Sequence, residues 1–230
     1  MGRARSITAL ILAQLLAFPP LTFAQTPLAP TPNPAAEALS SQIGVVAAVF
    51  GTVEVASGPQ AVGRIVQSGA PIHLGDVIKT DGKGRLQILL LDETTFTIGP
   101  NSAIVIDEFV YDPSTSAGKV NAHVVEGVFR FVTGKIAHQN PENMKVSLPS
   151  GTIGVRGTRV EGRVNSDQTA LVVLRGPGPN TLTNRPGSIV VTGDLAGGGD
   201  SGGVLVSRVD YGTRVSPGVP PTPAFAVPPT

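Results

Sequence analysis

The 230-residue chain carries 17 Lys and Arg against 16 Asp and Glu, a formal charge of +1, with 41% hydrophobic and 4% aromatic residues and no cysteine. A balance this even argues against nucleic acid, whose binding needs clustered cations. Without disulfides, a hydrophobic core has to hold the fold together.

The first 24 residues have the order of a secretory signal peptide: Arg3 and Arg5, an apolar run from Ile7 to Phe18, the breaker Pro19-Pro20, then Thr22-Phe23-Ala24. Cleavage is expected after Ala24, because the apolar run falls short of the roughly 20 residues of a permanent anchor. Loss of Arg3 and Arg5 leaves 15 cations against 16 carboxylates, a mature charge of about −1. The mature protein is expected in the periplasm or outside the cell, without stable membrane insertion.

Proline sets the boundaries. Six prolines fall between Pro19 and Pro34 and six between Pro217 and Pro229, so residues 25–42 read as an extended linker and 216–230 as a disordered tail. Between them run short segments rich in Val, Ile, Thr and Phe, bounded by Gly, Asp or Pro. They are Ile43–Val49, Thr52–Ala56, Arg85–Leu91, Thr94–Ile98, Ala103–Tyr111, Val120–Val125, Val128–Thr133, Met144–Leu148 and Thr158–Val164. In Thr94–Ile98, Phe96 and Ile98 alternate with Thr95 and Thr97, as a half-buried strand requires. Leu89-Leu90-Leu91 is apolar on both faces and predicts a central strand. Beyond Val164 the strands thin to Thr169–Leu174, Gly187–Val191 and Val204–Val209, a Gly-rich β extension over 166–215. The fold class is all-β, a β-roll or sandwich of short strands with disordered Pro-rich ends.

Four stretches in order carry a resemblance: Leu74-Gly75-Asp76-Val77-Ile78-Lys79-Thr80; Asp92-Glu93-Thr94 leading to Ile98-Gly99-Pro100-Asn101-Ser102; Val125-Glu126-Gly127-Val128-Phe129-Arg130-Phe131; and Val146-Ser147-Leu148-Pro149 with Ile153-Gly154-Val155-Arg156-Gly157-Thr158. Together they resemble the FecR domain, the periplasmic β-domain of ferric-citrate-regulator-like proteins, over about residues 43–165. Gly75-Asp76 and Asp81-Gly82 supply turns, Asp92-Glu93 closes a hairpin, and Gly154 and Gly157 allow close approach or a bulge. Arg156 is either a ligand-binding cation or a strand residue whose stem covers apolar surface. With Arg159 it is the candidate contact for a ligand or partner. In regulators of this family, the resemblance implies, a cytoplasmic segment restrains a sigma factor and the periplasmic domain meets the signalling domain of a TonB-dependent receptor. Here only Met1 to about Ser6 precede the apolar run, too little for such a segment.

Gly199-Asp200-Ser201-Gly202-Gly203 matches the string around the nucleophile of trypsin-like proteases. Such a triad needs a positioned histidine, but His73, His123 and His138 lack the surrounding sequence, and only 29 residues follow Ser201. The histidines lie 50 and 15 residues apart, which is no zinc spacing. Asp194 and Asp200 in the 193–203 loops resemble one unrepeated unit of a calcium-binding array. An outer-membrane barrel would need aromatic girdles that 4% aromatics cannot supply. The expectation is a non-enzymatic protein without cofactor or metal, binding or scaffolding in the cell envelope against an envelope protein or a glycan. The alternative is a surface-signalling sensor of the iron-uptake type, and a serine hydrolase is remote.

Overall fold

The computed structural model describes residues 42–176, 187–195 and 202–229. The leader, nearly all of the linker, and Asp200 and Ser201 of the protease-like string lie outside the described residues. In chain order the strands are β1 (Gln42–Phe50), β2 (Val53–Ala56), β3 (Arg64–Ile65), β4 (Pro71–His73), β5 (Val77–Thr80), β6 (Arg85–Leu90), β7 (Thr95–Ile98), β8 (Ala103–Asp112) and β9 (Ala117–Val132). After the short helix α1 (Lys135–Gln139) follow β10 (Met144–Leu148), β11 (Gly151–Arg156), β12 (Arg159–Val164), β13 (Ala170–Leu174), β14 (Ser188–Gly193), β15 (Val204–Val206), β16 (Tyr211–Val215) and β17 (Phe225–Ala226).

The strands form two ladders that share β9. The first sheet runs β4-β1-β6-β7-β9-β12-β13-β16-β17. The second runs β3-β2-β5-β8-β9-β10-β11-β14-β15. The chain lays strands down largely as hairpins, β6–β7 on the first sheet, β10–β11 on the second, β12–β13 on the first, β14–β15 on the second and β16–β17 on the first, so both grow in the same direction. Every pairing is antiparallel except β9 with β10. The assembly is all-β and open rather than a closed barrel.

Period-two alternation aims one face of each ladder inward. Leu86, Ile88 and Leu90 on β6, Phe96 and Ile98 on β7, and Phe129 and Phe131 on β9 meet Val53, Ile78, Ile104, Ile106, Val124 and Val146 of the second sheet in one buried cluster. Phe131 sits 5.7 Å from Phe96 and 6.3 Å from Phe129, ring centre to ring centre. Val172, Ile189, Val206 and Val215 belong to the same cluster, so the Gly-rich extension continues both sheets around the shared core.

The sequence segments Val120–Val125 and Val128–Thr133 prove to be one strand. Ala117–Glu126 pairs with β8 in the second sheet, and Gly127–Val132 pairs with β12 in the first. The crossing falls at Gly127, whose φ of +94° is open to glycine but strained for other residues. A Cβ there would overlap the Ser102 hydroxyl and the Asn101 carbonyl.

The proline-rich tail differs from the disordered segment expected of it. Residues 216–229 run on from β16, with Phe225–Ala226 pairing to Tyr211 and Gly212. Non-proline residues between the prolines pin it. The Thr213 hydroxyl donates to the Thr222 carbonyl at 2.6 Å, Arg214 N–H donates to the Thr222 hydroxyl at 3.0 Å, and Arg175 Nη1 donates to the Val227 carbonyl at 3.0 Å. Proline removes donors but leaves carbonyl acceptors, and those flanking it are used here. Leu89-Leu90-Leu91 also differs in part. β6 is central between β1 and β7, yet its outer face is open, with Leu89 40% and Leu91 55% exposed. No helix among the described residues is long and apolar enough to cross a membrane.

Candidate binding groove

The outer face of the second sheet carries a row in register: Asn121 on β9, Lys145 on β10, Gly154 on β11, Val190 on β14 and Leu205 on β15. Gly154 leaves a gap in that row. A Cβ built there meets nothing nearer than the Val190 carbonyl at 3.8 Å. On one side the gap opens into a groove of 530 Å³ bounded by Lys119, Glu142, Lys145 and Arg156, and on the other into one of 350 Å³ reaching Thr152 and Thr192.

The floor is glycine and valine, and the walls carry three cations and the carboxylate of Glu142. Lys119 is neutralised by Glu108, Nζ to Oε2 3.0 Å. Among the described residues Lys145 and Arg156 have no side-chain hydrogen bond or ion pair. The adjacent Asn121 has its Oδ1 buried without a partner among the described residues, an acceptor that costs free energy until something donates to it. The groove thus combines an apolar strip, two unpaired cations and threonine hydroxyls. That set suits an extended, polar, net-negative chain.

Arg156 and Arg159, paired as candidates in the sequence, part company in the structure. Arg156 ends β11, exposed at the mouth of the groove. Arg159 opens β12 on the other sheet, partly buried, its Nη2 donating to the Arg175 carbonyl at 3.0 Å. There it borders an ionic cluster. Arg175 Nε donates to Glu161 Oε2 at 3.0 Å, and its Nη1 donates to Asp210 Oδ1 at 2.9 Å as well as to the tail carbonyl of Val227. Burial opposes the charge on Arg175, but the hydrogen bonds to Asp210 and Glu161 outweigh it and hold the guanidinium above its ordinary pKa.

The histidines do not converge. His73 lies on β4 beside the buried Asp76, His123 on β9 and His138 on α1. Among the described residues no three His, Cys, Asp or Glu side chains are placed to share a metal ion. Asp194 is tied down by its backbone, accepting from Gly218 N–H at 3.1 Å and donating to the Ser150 carbonyl at 3.0 Å. The groove was missed in the sequence because it depends on register across five strands. The one signal for it was Gly154 two residues before an arginine in a strand.

Comparison with known families accords with this architecture. Residues 76–177 match the family described as FecR protein, from β5 to just past β13, so this segment is similar to a FecR domain. The match starts later and ends later than the resemblance read over 43–165. That family is one of periplasmic, signalling-related sensor domains, regulatory and generally non-enzymatic. No curated protein matches the chain.

Proposed function

From the likeness to a FecR domain as premise, we propose that this protein is a non-catalytic recognition module of the cell envelope whose partner lies in the groove across Gly154. The observation that carries the reading is the missing side chain at Gly154 between two cations, Lys145 and Arg156, that have no side-chain partner among the described residues. An elongated ligand, a polar segment of an envelope protein or a glycan, would cross the strands there. Arg156 and Lys145 would hold its anionic groups while its less polar side rests on Val190. Arg159 takes no part in this contact.

The test is affinity capture from envelope extract with the full chain, run in parallel for the wild type and Gly154→Trp. The substitution fills the groove from a position with room for a side chain. Partners retained by the wild type and lost by the variant support the groove. Retention of the same set by both moves the contact elsewhere. If the lost partner is a TonB-dependent receptor, the module serves surface signalling; if it is cell-wall material, it serves as a scaffold.

A further inference from the structure

A second cleft lies on the outer face of the other sheet and involves none of the residues of the Gly154 groove. Arg163 on β12, Leu171 on β13 and Arg214 on β16 stand in one register row. The two arginines are therefore two strand spacings apart, about 10 Å, with the half-buried Leu171 between them. They border a cleft of 440 Å³ whose other walls are Asn165, Asp167, Thr169 and Ser216.

Arg163 is exposed and, among the described residues, has no hydrogen bond or ion pair to its side chain. Arg214 is held differently. Its guanidinium lies 5.8 Å from the ring centre of Phe225, and its backbone N–H donates to the Thr222 hydroxyl, so the tail lies against one of the two cations and anchors the strand that carries it. The wall opposite is stiffened by its own bonds. Asp167 Oδ1 accepts from the Thr169 hydroxyl at 2.6 Å and N–H at 2.9 Å, and Asn165 Nδ2 donates to the Thr169 hydroxyl at 3.0 Å.

We infer that this cleft binds an acidic saccharide carrying single carboxylates, of the uronate kind. A guanidinium is suited to a carboxylate. Two of them spaced by Leu171 fit two separated anionic groups with the apolar face of a sugar ring between. Asn165 Oδ1 and the Ser216 hydroxyl remain for ring hydroxyls. The carboxylates facing the cleft set the upper limit on charge: Asp167 in the wall, and Glu126 in the neighbouring hollow that also touches Arg163. Hydrogen bonds from the Thr169 hydroxyl and N–H keep Asp167 below the usual carboxylate pKa. It stays ionised and disfavours a dianionic phosphate more than a lone carboxylate.

The test titrates the full chain with oligogalacturonate, a neutral oligosaccharide of the same length, a polyglutamate peptide and inorganic phosphate, by calorimetry at low and moderate salt. Saturable binding of oligogalacturonate alone is expected, weakened about tenfold or more by either Arg163→Gln or Arg214→Gln and unchanged by Lys83→Gln, an exposed cation that borders neither cleft. Equal binding of the neutral sugar, the peptide or phosphate would overturn the assignment, as would arginine variants that bind like the wild type. Neither variant removes a core side chain, so an unchanged thermal midpoint separates lost binding from lost fold. Loss of oligogalacturonate binding in Arg156→Gln with full binding in the Arg163 and Arg214 variants would overturn this assignment and move the saccharide to the Gly154 groove, so the two readings fail separately.

Discussion

The hydroxyl of Ser102 occupies the place of a neighbouring strand for Val128. It accepts from Val128 N–H at 2.9 Å and donates toward the Val128 carbonyl, 3.2 Å away. Val128 follows Gly127, where β9 leaves one sheet for the other, and a backbone at such a crossing needs replacement partners. Thr80 supports the same corner, its hydroxyl donating to the Gly99 carbonyl at 2.7 Å and accepting from Ser102 N–H at 3.0 Å. Ser102→Ala strands the Val128 N–H. The expected cost is about 1–3 kcal/mol, or roughly 2–10 °C in the thermal midpoint of a domain this size, read by calorimetry. A midpoint within a degree of wild type would remove Ser102 from this role.

Two glycines in the family motifs should respond oppositely to the same change. Gly127→Ala introduces a methyl group that overlaps Ser102 and Asn101 at a positive φ, so loss of several kcal/mol or failure to fold is expected. Gly154→Ala enters open space at an ordinary φ and should leave stability within about 1 kcal/mol of wild type. Urea denaturation of both variants checks the contrast, and equal destabilisation would contradict it.

Arg175 ties the tail to the domain, so Arg175→Gln should loosen residues 216–229 before it unfolds the rest. Brief protease treatment with mass readout is expected to trim the variant from its C-terminal end, while the wild type stays whole under the same conditions. Trimming at matched rates in both proteins would place the anchoring elsewhere, in Thr222 and Phe225.

Asp92 lets the pH dependence be read by sign. Burial pushes its carboxyl above the ordinary value, against hydrogen bonds from the Thr94 hydroxyl at 2.8 Å and N–H at 3.0 Å. A raised folded-state pKa means the fold holds this proton more tightly than the unfolded chain does. Its stabilising contribution is complete below the unfolded pKa of about 3.9 and is lost as pH rises through the folded value. The exposed Asp81, Asp112 and Asp167, all lowered, act in the opposite direction, but they are common to wild type and variant. Asp92→Asn should therefore gain on the wild type as pH goes from 3 to 7, whatever its offset from altered bonding to Thr94. Denaturant midpoints across that range decide it. A constant difference would mean that Asp92 keeps an ordinary pKa.

Strand-rich runs were legible because alternation is local: Phe96 and Ile98 point inward on β7 as the pattern required. The sheet that each strand joins was not legible, since that depends on pairing between residues far apart in sequence. Met144 meets Val120, for example, and Gly151 meets Gly193. Gly127 reads as a break between two strands in one dimension, whereas in three it lets a single strand change layers. The tail misled for a related reason. Proline density marks the absence of donors, but Thr213, Arg214 and Arg175 supply donors from outside the segment. Of the two arginines singled out, Arg156 could not be told from Arg159 until the turn between them put them on different sheets.

Because β9 is held by β8 and β10 over one half and by β7 and β12 over the other, the two layers are mechanically one body. Sliding one over the other would require β9 to shear on both sides at once. A close-packed core does not yield to such shear gradually. Occupation of a groove on one outer face is thus expected to move the domain as a whole, with the angle between the layers unchanged.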